Sequence, residues 1–194
     1  MQRGTADAVL AARDAIEAHR GDLLVLFADT PLVTAETVRA LIGALDGGAA
    51  VAVLGFEARD PGSYGRLITG GDGALLAIRE AKDATEAERA IRLCNSGVMA
   101  FRLDDPLAVL DAIGNANAKG EYYLTDIVGL ARAEGRTAAV VTCDEAETLG
   151  INTRTELAAA EAAFQARKRA EAVEAGVALA DPATVWFAPD TAIG

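Results

Sequence analysis

The run Leu23-Leu24-Val25-Leu26-Phe27-Ala28-Asp29-Thr30-Pro31-Leu32 constrains this chain more than any other segment. Its apolar residues do not alternate with polar ones, so a strand built from them needs cover on both faces. That is the pattern of a central strand in a helix-covered parallel sheet. Asp29 then interrupts the run with a carboxylate, and Pro31 cannot donate to a continuing ladder. The strand is expected to end there. In open α/β sheets ligands collect at the carboxyl ends of strands, which makes Asp29 a candidate site residue as well as a stop signal.

Composition narrows the classes. With 194 residues, 52% of them hydrophobic, one globular domain with a real core is expected, with room for an appendage. The formal charge of −11 argues against a nucleic-acid surface, which needs clustered Lys and Arg to displace counterions from phosphates. Cys94, Cys143 and His19 are too few for a disulfide framework or a four-ligand zinc site. Apolar runs are too short for membrane insertion, and the opening residues are amphipathic, unlike a secretory leader. A cytoplasmic location is the default expectation.

Along the chain, Thr5 reads as the N-cap of a helix over Ala6 to His19, with Val9, Leu10, Ala12 and Ile16 on one face. After the apolar strand, Thr34 caps a second helix that closes at Gly47-Gly48. Ala49 to Phe56 reads as a strand, Asp60-Pro61-Gly62 breaks it, and Tyr64 to Ile68 resumes. Gly70-Gly71-Asp72-Gly73 is a turn to a hairpin partner over Ala74 to Ile78. Ile91 to Arg102 is a further strand, Pro106 opens a helix, and a helix ending at Gly135 precedes a strand over Thr137 to Thr142. A long Ala-rich helix follows Asn152-Thr153 and reaches about Ala175. Asp181-Pro182 then returns to extended structure. Strand–helix alternation predicts an α/β fold, and the hairpin makes its sheet mixed. The opening Gln2-Arg3-Gly4-Thr5 enters a helix with no strand before it, and Pro189 to Gly194 stops as a new apolar rhythm begins. Both ends suggest a piece of something longer.

Few residues announce chemistry by themselves. Gly4-Thr5 at a helix start suits an anion or a ligand carbonyl, although a plain cap is the commoner use. Asp29 is either a turn-forming acid before Pro31 or a metal ligand. Mg²⁺ takes only one or two protein oxygens and fills its shell from water and phosphates, so Asp29 with the amide oxygen of Asn152 would suffice; a capping role serves Asn152 equally. Glu80, Asn95 and Tyr64-Gly65 fall around the central hairpin and have ordinary readings as a surface acid, a turn residue and a strand entry. Arg167-Lys168-Arg169 read as solvated helix surface. No Ser-His-Asp or Cys-His set exists, so covalent catalysis is not expected.

In order, Gly4-Thr5-Ala6-Asp7-Ala8-Val9, Phe27-Ala28-Asp29-Thr30-Pro31-Leu32 and Tyr64-Gly65-Arg66 resemble the sugar-phosphate nucleotidyltransferases. Glu80-Ala81-Lys82-Asp83-Ala84-Thr85, Asn95-Ser96-Gly97, Gly120 to Asp126 and Gly150-Ile151-Asn152-Thr153-Arg154 narrow the resemblance to one family. It is the bacterial bifunctional N-acetylglucosamine-1-phosphate uridyltransferase / glucosamine-1-phosphate N-acetyltransferase family, matched over nearly the whole chain. The resemblance implies a Rossmann-like α/β nucleotidyltransferase domain with a mixed, mostly parallel sheet, partial over residues 1–153. It further implies a linker helix over 154–175 and the start of a hexapeptide-repeat left-handed β-helix over 176–194.

The activity implied is Mg²⁺-dependent uridylyl transfer from UTP to N-acetylglucosamine 1-phosphate, giving UDP-N-acetylglucosamine and pyrophosphate. Gly4 and Thr5 would contact the nucleotide, with Thr5 near the uracil. Phe27, Ala28 and Asp29 would line the nucleotide-sugar pocket, and Gly65, Glu80 and Asn95 would bind the N-acetylglucosamine half. Asp29 and Asn152 would hold Mg²⁺. The family acetylates glucosamine 1-phosphate with acetyl-CoA through its β-helix, which also makes it a homotrimer. Two positions depart mildly: Phe27-Ala28-Asp29 stands where Tyr-Gly-Asp is common, and Asn95-Ser96-Gly97 where Asn-Thr-Gly is. The larger departure is the family's Gly-x-Gly-Thr-Arg-Met type loop and following Lys, which wrap the triphosphate and have no counterpart here. Without the strand before that loop, an unpaired edge in the middle of the sheet is expected. Two other readings stand beside this one: a non-catalytic nucleotide-sugar-binding or structural module, and a nucleotidyltransferase for another sugar or nucleotide.

Overall fold

A computed structural model describes residues 3–19 and 21–193. Gln2 and Gly194, placed above in a helix lead and a β-helix entry, lie outside the described residues. The expected first helix is two, α1 (Thr5–Leu10) and α2 (Arg13–Ala18), then β1 (Leu23–Val25) and α3 (Ala35–Asp46). Strands β2 (Val51–Glu57), β3 (Arg66–Thr69) and β4 (Leu75–Arg79) follow, then the one-turn α4 (Glu86–Arg89) and β5 (Leu93–Phe101). Helices α5 (Pro106–Asp111) and α6 (Ile127–Ala133), β6 (Ala138–Thr142) and the long α7 (Arg154–Glu174) complete the chain.

Strand β2 is buried from Val51 through Phe56 because helices cover both faces of the sheet. Val51, Val53, Met99 and Phe101 pack against Ile16, Val109, Leu110, Ile127 and Val128 on one side. Ala52, Leu54, Val98 and Ala100 face Leu41 and Leu45 of α3 on the other. Thr34 caps α3 as its sequence predicts, accepting from Thr37 N at 3.1 Å. The α/β, Rossmann-like arrangement is thus present.

Strand direction is a correction. The sheet runs β4-β3-β5-β2-β6, with β1 also on β5, and among the described pairings only β2·β6 is parallel. The sheet is mixed but mostly antiparallel, because the long strand β5 runs against its neighbours β1, β2 and β3. The apolar run likewise yields only the short strand Leu23–Val25, paired among the described residues with β5 alone, and Leu24 and Leu26 are 38% and 51% exposed. A two-faced apolar pattern reports cover above and below a strand; it carries no information on which way the lateral neighbour runs.

Residues 176–193 carry a single-turn 3-10 segment at Pro182–Thr184 and no strand. They lie back on α7. Gln165, buried to 3% exposure, exchanges two hydrogen bonds of 2.8 Å with the backbone N–H and C=O of Phe187. Arg169 donates to Val185 O at 2.7 Å and sits over the Trp186 ring. Arg167 reaches the other way, to Leu32 O at 2.9 Å. Arg167 and Arg169 are therefore anchors for the backbone on either side of α7, correcting their reading as solvated surface. Replacing Gln165 with Ala should free residues 185–188 from α7. The expected cost is about 1–3 kcal/mol, the usual range for a lost buried polar pair, read as a lowered chemical-denaturation midpoint with faster proteolysis after Gly176.

Candidate functional site

Strand β5 has one edge on β2 and divides the other between β3, at Cys94, and β1, from Met99 to Phe101. Asn95 to Val98 lie between those two neighbours, and a hollow of about 230 Å³ opens there. Its lining includes Thr5, Phe27, Gly65, Glu80, Asn95 and Thr125.

The Asn-Ser-Gly sequence builds this spot. Val53 pairs with Met99 and Gly55 with Asn95, so five residues of β5 span three of β2. The bulge this creates leaves backbone groups without ladder partners. Ser96 Oγ donates to Leu54 O at 2.8 Å and accepts from Val98 N, while Asn95 Oδ1 accepts from Gly97 N at 3.0 Å. Gly97 has φ +90°, and a Cβ there would lie 1.9 Å from Cε2 of Phe27. The bulge is the seat of the Phe27 ring, and only glycine allows it.

Thr5 is not the cap of α1; Gly4 holds that position, at φ 124°. The reason is a close backbone approach: a Cβ on Gly4 would stand 2.4 Å from Tyr122 O. The Thr5 hydroxyl instead accepts from Leu124 N at 2.9 Å, tying the start of α1 to the 122–125 segment. That segment delivers Thr125, whose hydroxyl donates to Glu80 Oε1 at 3.3 Å. Burial raises the pKa of Glu80 above its ordinary 4.5, with Asp83 and Asp126 adding in the same sense and Thr125 and Lys119 opposing. Asn95 is 8% exposed with Oδ1 engaged, so Nδ2 is the group left for a ligand. A carboxylate acceptor and an amide donor thus flank one small cavity walled in part by Phe27, Met99 and Leu124, a combination suited to the hydroxyls and amide of a sugar.

Five of the expected site residues, Thr5, Phe27, Gly65, Glu80 and Asn95, meet in this hollow. Gly4 sits behind Thr5 against Tyr122, and Ala28, Asp29 and Asn152 lie outside the lining. Asp29 and Asn152 are both exposed, on loops joined by Ile151 N donating to Asp29 O at 2.9 Å. Their side-chain oxygens accept no hydrogen bond among the described residues, and no group of three or more His, Cys, Asp or Glu gathers there to hold a metal. Two such free oxygens fit Mg²⁺, which draws the rest of its shell from water and phosphate oxygens. The cysteines do not enter: burial, reinforced by Glu147 and Asp144, pushes the Cys143 thiol up to about 12, and burial raises Cys94 as well.

Sequence reading missed Thr125, Ser63, Leu124 and Met99 in the lining. It also missed Tyr123, whose hydroxyl is buried without a partner among the described residues. The hydroxyl-bearing run Tyr122-Tyr123-Leu124-Thr125 just before a helix was the available signal. A larger hollow of about 600 Å³ lies between α2 and α5, where three of the four lining acids are engaged: Asp111 with Arg13, Asp104 with Arg136, and Asp105 capping α5, while Glu17 makes no ion pair among the described residues.

No family model matches the chain. Proteins named bifunctional protein GlmU do. That of Paracoccus denitrificans is 60% identical over 193 residues, and that of Dinoroseobacter shibae 58% over 193, each covering the whole chain. That of Bradyrhizobium sp. is 59% identical over 191 residues, or 98% of the chain. The chain is a homologue of GlmU. It spans 42–43% of the length of these three relatives.

Two outcomes test the geometry. Gly97→Ala should expel the Phe27 ring and cost about 1–3 kcal/mol through overpacking and a disfavoured φ, read by denaturant unfolding. Glu80, with its pKa raised by folding, binds its proton more tightly in the folded state. Stability therefore falls as pH climbs from the unfolded carboxyl range through the raised value. Glu80→Gln should flatten that slope in thermal melts across pH; an unchanged slope would show that the Glu80 carboxyl does not titrate differently on folding.

Proposed function

We propose that this chain performs the nucleotide-sugar part of Mg²⁺-dependent uridylyl transfer, from UTP to N-acetylglucosamine 1-phosphate, giving UDP-N-acetylglucosamine and pyrophosphate. The observation that carries this reading is the convergence of Thr5, Phe27, Gly65, Glu80 and Asn95 on one hollow beside the bulged middle of β5. The Asp29 and Asn152 loops, joined beside it, add the second half of the argument.

A phosphate oxygen of the sugar phosphate forms the new bond to the α-phosphorus of UTP, and the bond to pyrophosphate breaks. No proton transfer or covalent enzyme intermediate is needed. The chain's own contribution is binding and orientation. Glu80 accepts from sugar hydroxyls, Asn95 Nδ2 donates to the acetamido carbonyl, and Gly65 keeps the wall close. Thr5 and Gly4 lie on the nucleotide side, with Phe27 and Ala28 between the two halves. Asp29 and Asn152 are the residues that would hold Mg²⁺. When bound, Mg²⁺ neutralises the crowded phosphates and stabilises charge on the leaving oxygens.

The whole protein in this reading also acetylates glucosamine 1-phosphate from acetyl-CoA. It is a cytoplasmic homotrimer assembled through a β-helix that residues 176–194 begin, residues 1–153 being nucleotidyltransferase domain and 154–175 a linker. Its product would feed peptidoglycan and lipopolysaccharide synthesis.

Titration of the chain with UDP-N-acetylglucosamine in Mg²⁺ tests the site. Binding should weaken about tenfold or more in Asp29→Ala and in Asn152→Ala, and on chelation of Mg²⁺, as expected for losing a charged or ligating contact worth 1.4 kcal/mol or more. Equal binding in the presence of a chelator would sink the metal assignment. Absence of binding to well-folded chain would sink the nucleotide-sugar assignment.

A further inference from the structure

We propose that Arg66 is a positioning residue for the sugar pocket, its buried guanidinium holding the 61–65 loop in the shape that forms one wall. The proposal rests on the nucleotide-sugar reading of that hollow. Arg66 is 3% exposed, yet none of the ion pairs among the described residues includes it. A buried cation without a carboxylate is costly unless other groups replace its hydration. Here backbone carbonyls do so. Nη1 donates to Pro61 O at 3.2 Å and to Tyr64 O, Nη2 to Gly62 O at 3.2 Å, and Nε to Arg89 O at 3.5 Å.

Three of those four acceptors belong to one short loop. Its other internal ties are slight: Tyr64 N to Pro61 O at 3.0 Å, and Gly62 N to Asp60 Oδ1 at 3.1 Å. Carbonyl dipoles aimed at one point repel each other, and a cation at that point converts the repulsion into a clamp. The loop's last residues then enter the pocket. Tyr64 sets its ring edge against Phe56 at 4.9 Å and 87°. Gly65 accepts from Asn95 N at 2.8 Å, and a Cβ on it would come within 3.6 Å of Glu80 Oε1. The guanidinium is thus one step from the two polar groups that face the ligand. A lysine cannot substitute, since a single ammonium on a flexible stem does not span carbonyls spread across a planar fork.

The test uses the full chain with Arg66→Lys and Arg66→Ala, folding checked by far-ultraviolet circular dichroism. Three readouts follow: amide exchange in peptides covering 58–65, UDP-N-acetylglucosamine affinity in Mg²⁺, and rescue of Arg66→Ala by guanidinium below denaturing concentration. Both variants should exchange faster in that loop and bind about tenfold more weakly or worse, a loss of 1.4 kcal/mol. Guanidinium, but not ammonium at equal concentration, should restore protection and affinity in Arg66→Ala. Unchanged loop exchange, unchanged affinity in a loosened loop, or rescue by ammonium as well as guanidinium would each overturn the assignment. If neither variant folds, Arg66 is a requirement of the fold and the positioning role is wrong. If the unaltered chain does not bind UDP-N-acetylglucosamine, the nucleotide-sugar reading fails separately, while loop exchange still decides whether Arg66 holds the loop.

Discussion

Hydrogen bonding along the two edges of β5 is the constraint from which the rest of the molecule follows. On one edge β2 accompanies it throughout; on the other, β3 and β1 take opposite ends and leave the middle free. A strand cannot leave buried N–H and C=O groups unanswered. The bulged middle of β5 answers them locally, through the Ser96 hydroxyl and the Asn95 amide oxygen. The hollow, the seat for Phe27 and the orientation of Asn95 are consequences of that one irregularity.

Electrostatics divides the carboxylates around the site into two kinds. Glu80 is largely withdrawn from water, held by Thr125 and raised in pKa by burial. Such an acid suits recognition of neutral hydroxyls. Asp29 is exposed on the loop after β1, next in space to the Asn152 loop, and its side chain has no partner among the described residues; such an acid suits a cation. Polar groups also hold what apolar packing does not. Helix α7 buries only Ala160, Gln165 and Ala172, so its attachment depends on Arg167 toward the Asp29 loop and on Gln165 and Arg169 toward residues 185–187.

Much of the architecture was legible because short-range chemistry dictates it. Thr34 caps its helix, Gly47-Gly48 closes α3, and Gly70 to Gly73 turns the β3–β4 hairpin, whereas the cap of α7 is Thr153 and not the expected Asn152. The gathering of Glu80, Asn95, Gly65 and Thr5 around one hollow was legible largely because their motifs resemble a known family in order and content. Thr125 and Arg66 were not. A threonine before a helix and an arginine in a strand look ordinary until the chain places a carboxylate beside one and four carbonyls around the other.

By itself, then, the sequence determined most of the helices, strands and turns, since propensity, periodicity and glycine or proline act within a few residues; it did not determine that the first strand stops at Val25, well before Asp29, or that Leu24 and Leu26 stay exposed. Only the tertiary structure decided that β5 runs against its neighbours, that the 23–25 strand has a single partner among the described residues, and that Thr5 serves Leu124 instead of a helix end. Those outcomes depend on which backbone groups meet across distances of tens of residues, and side-chain hydrophobicity carries no record of hydrogen-bond direction.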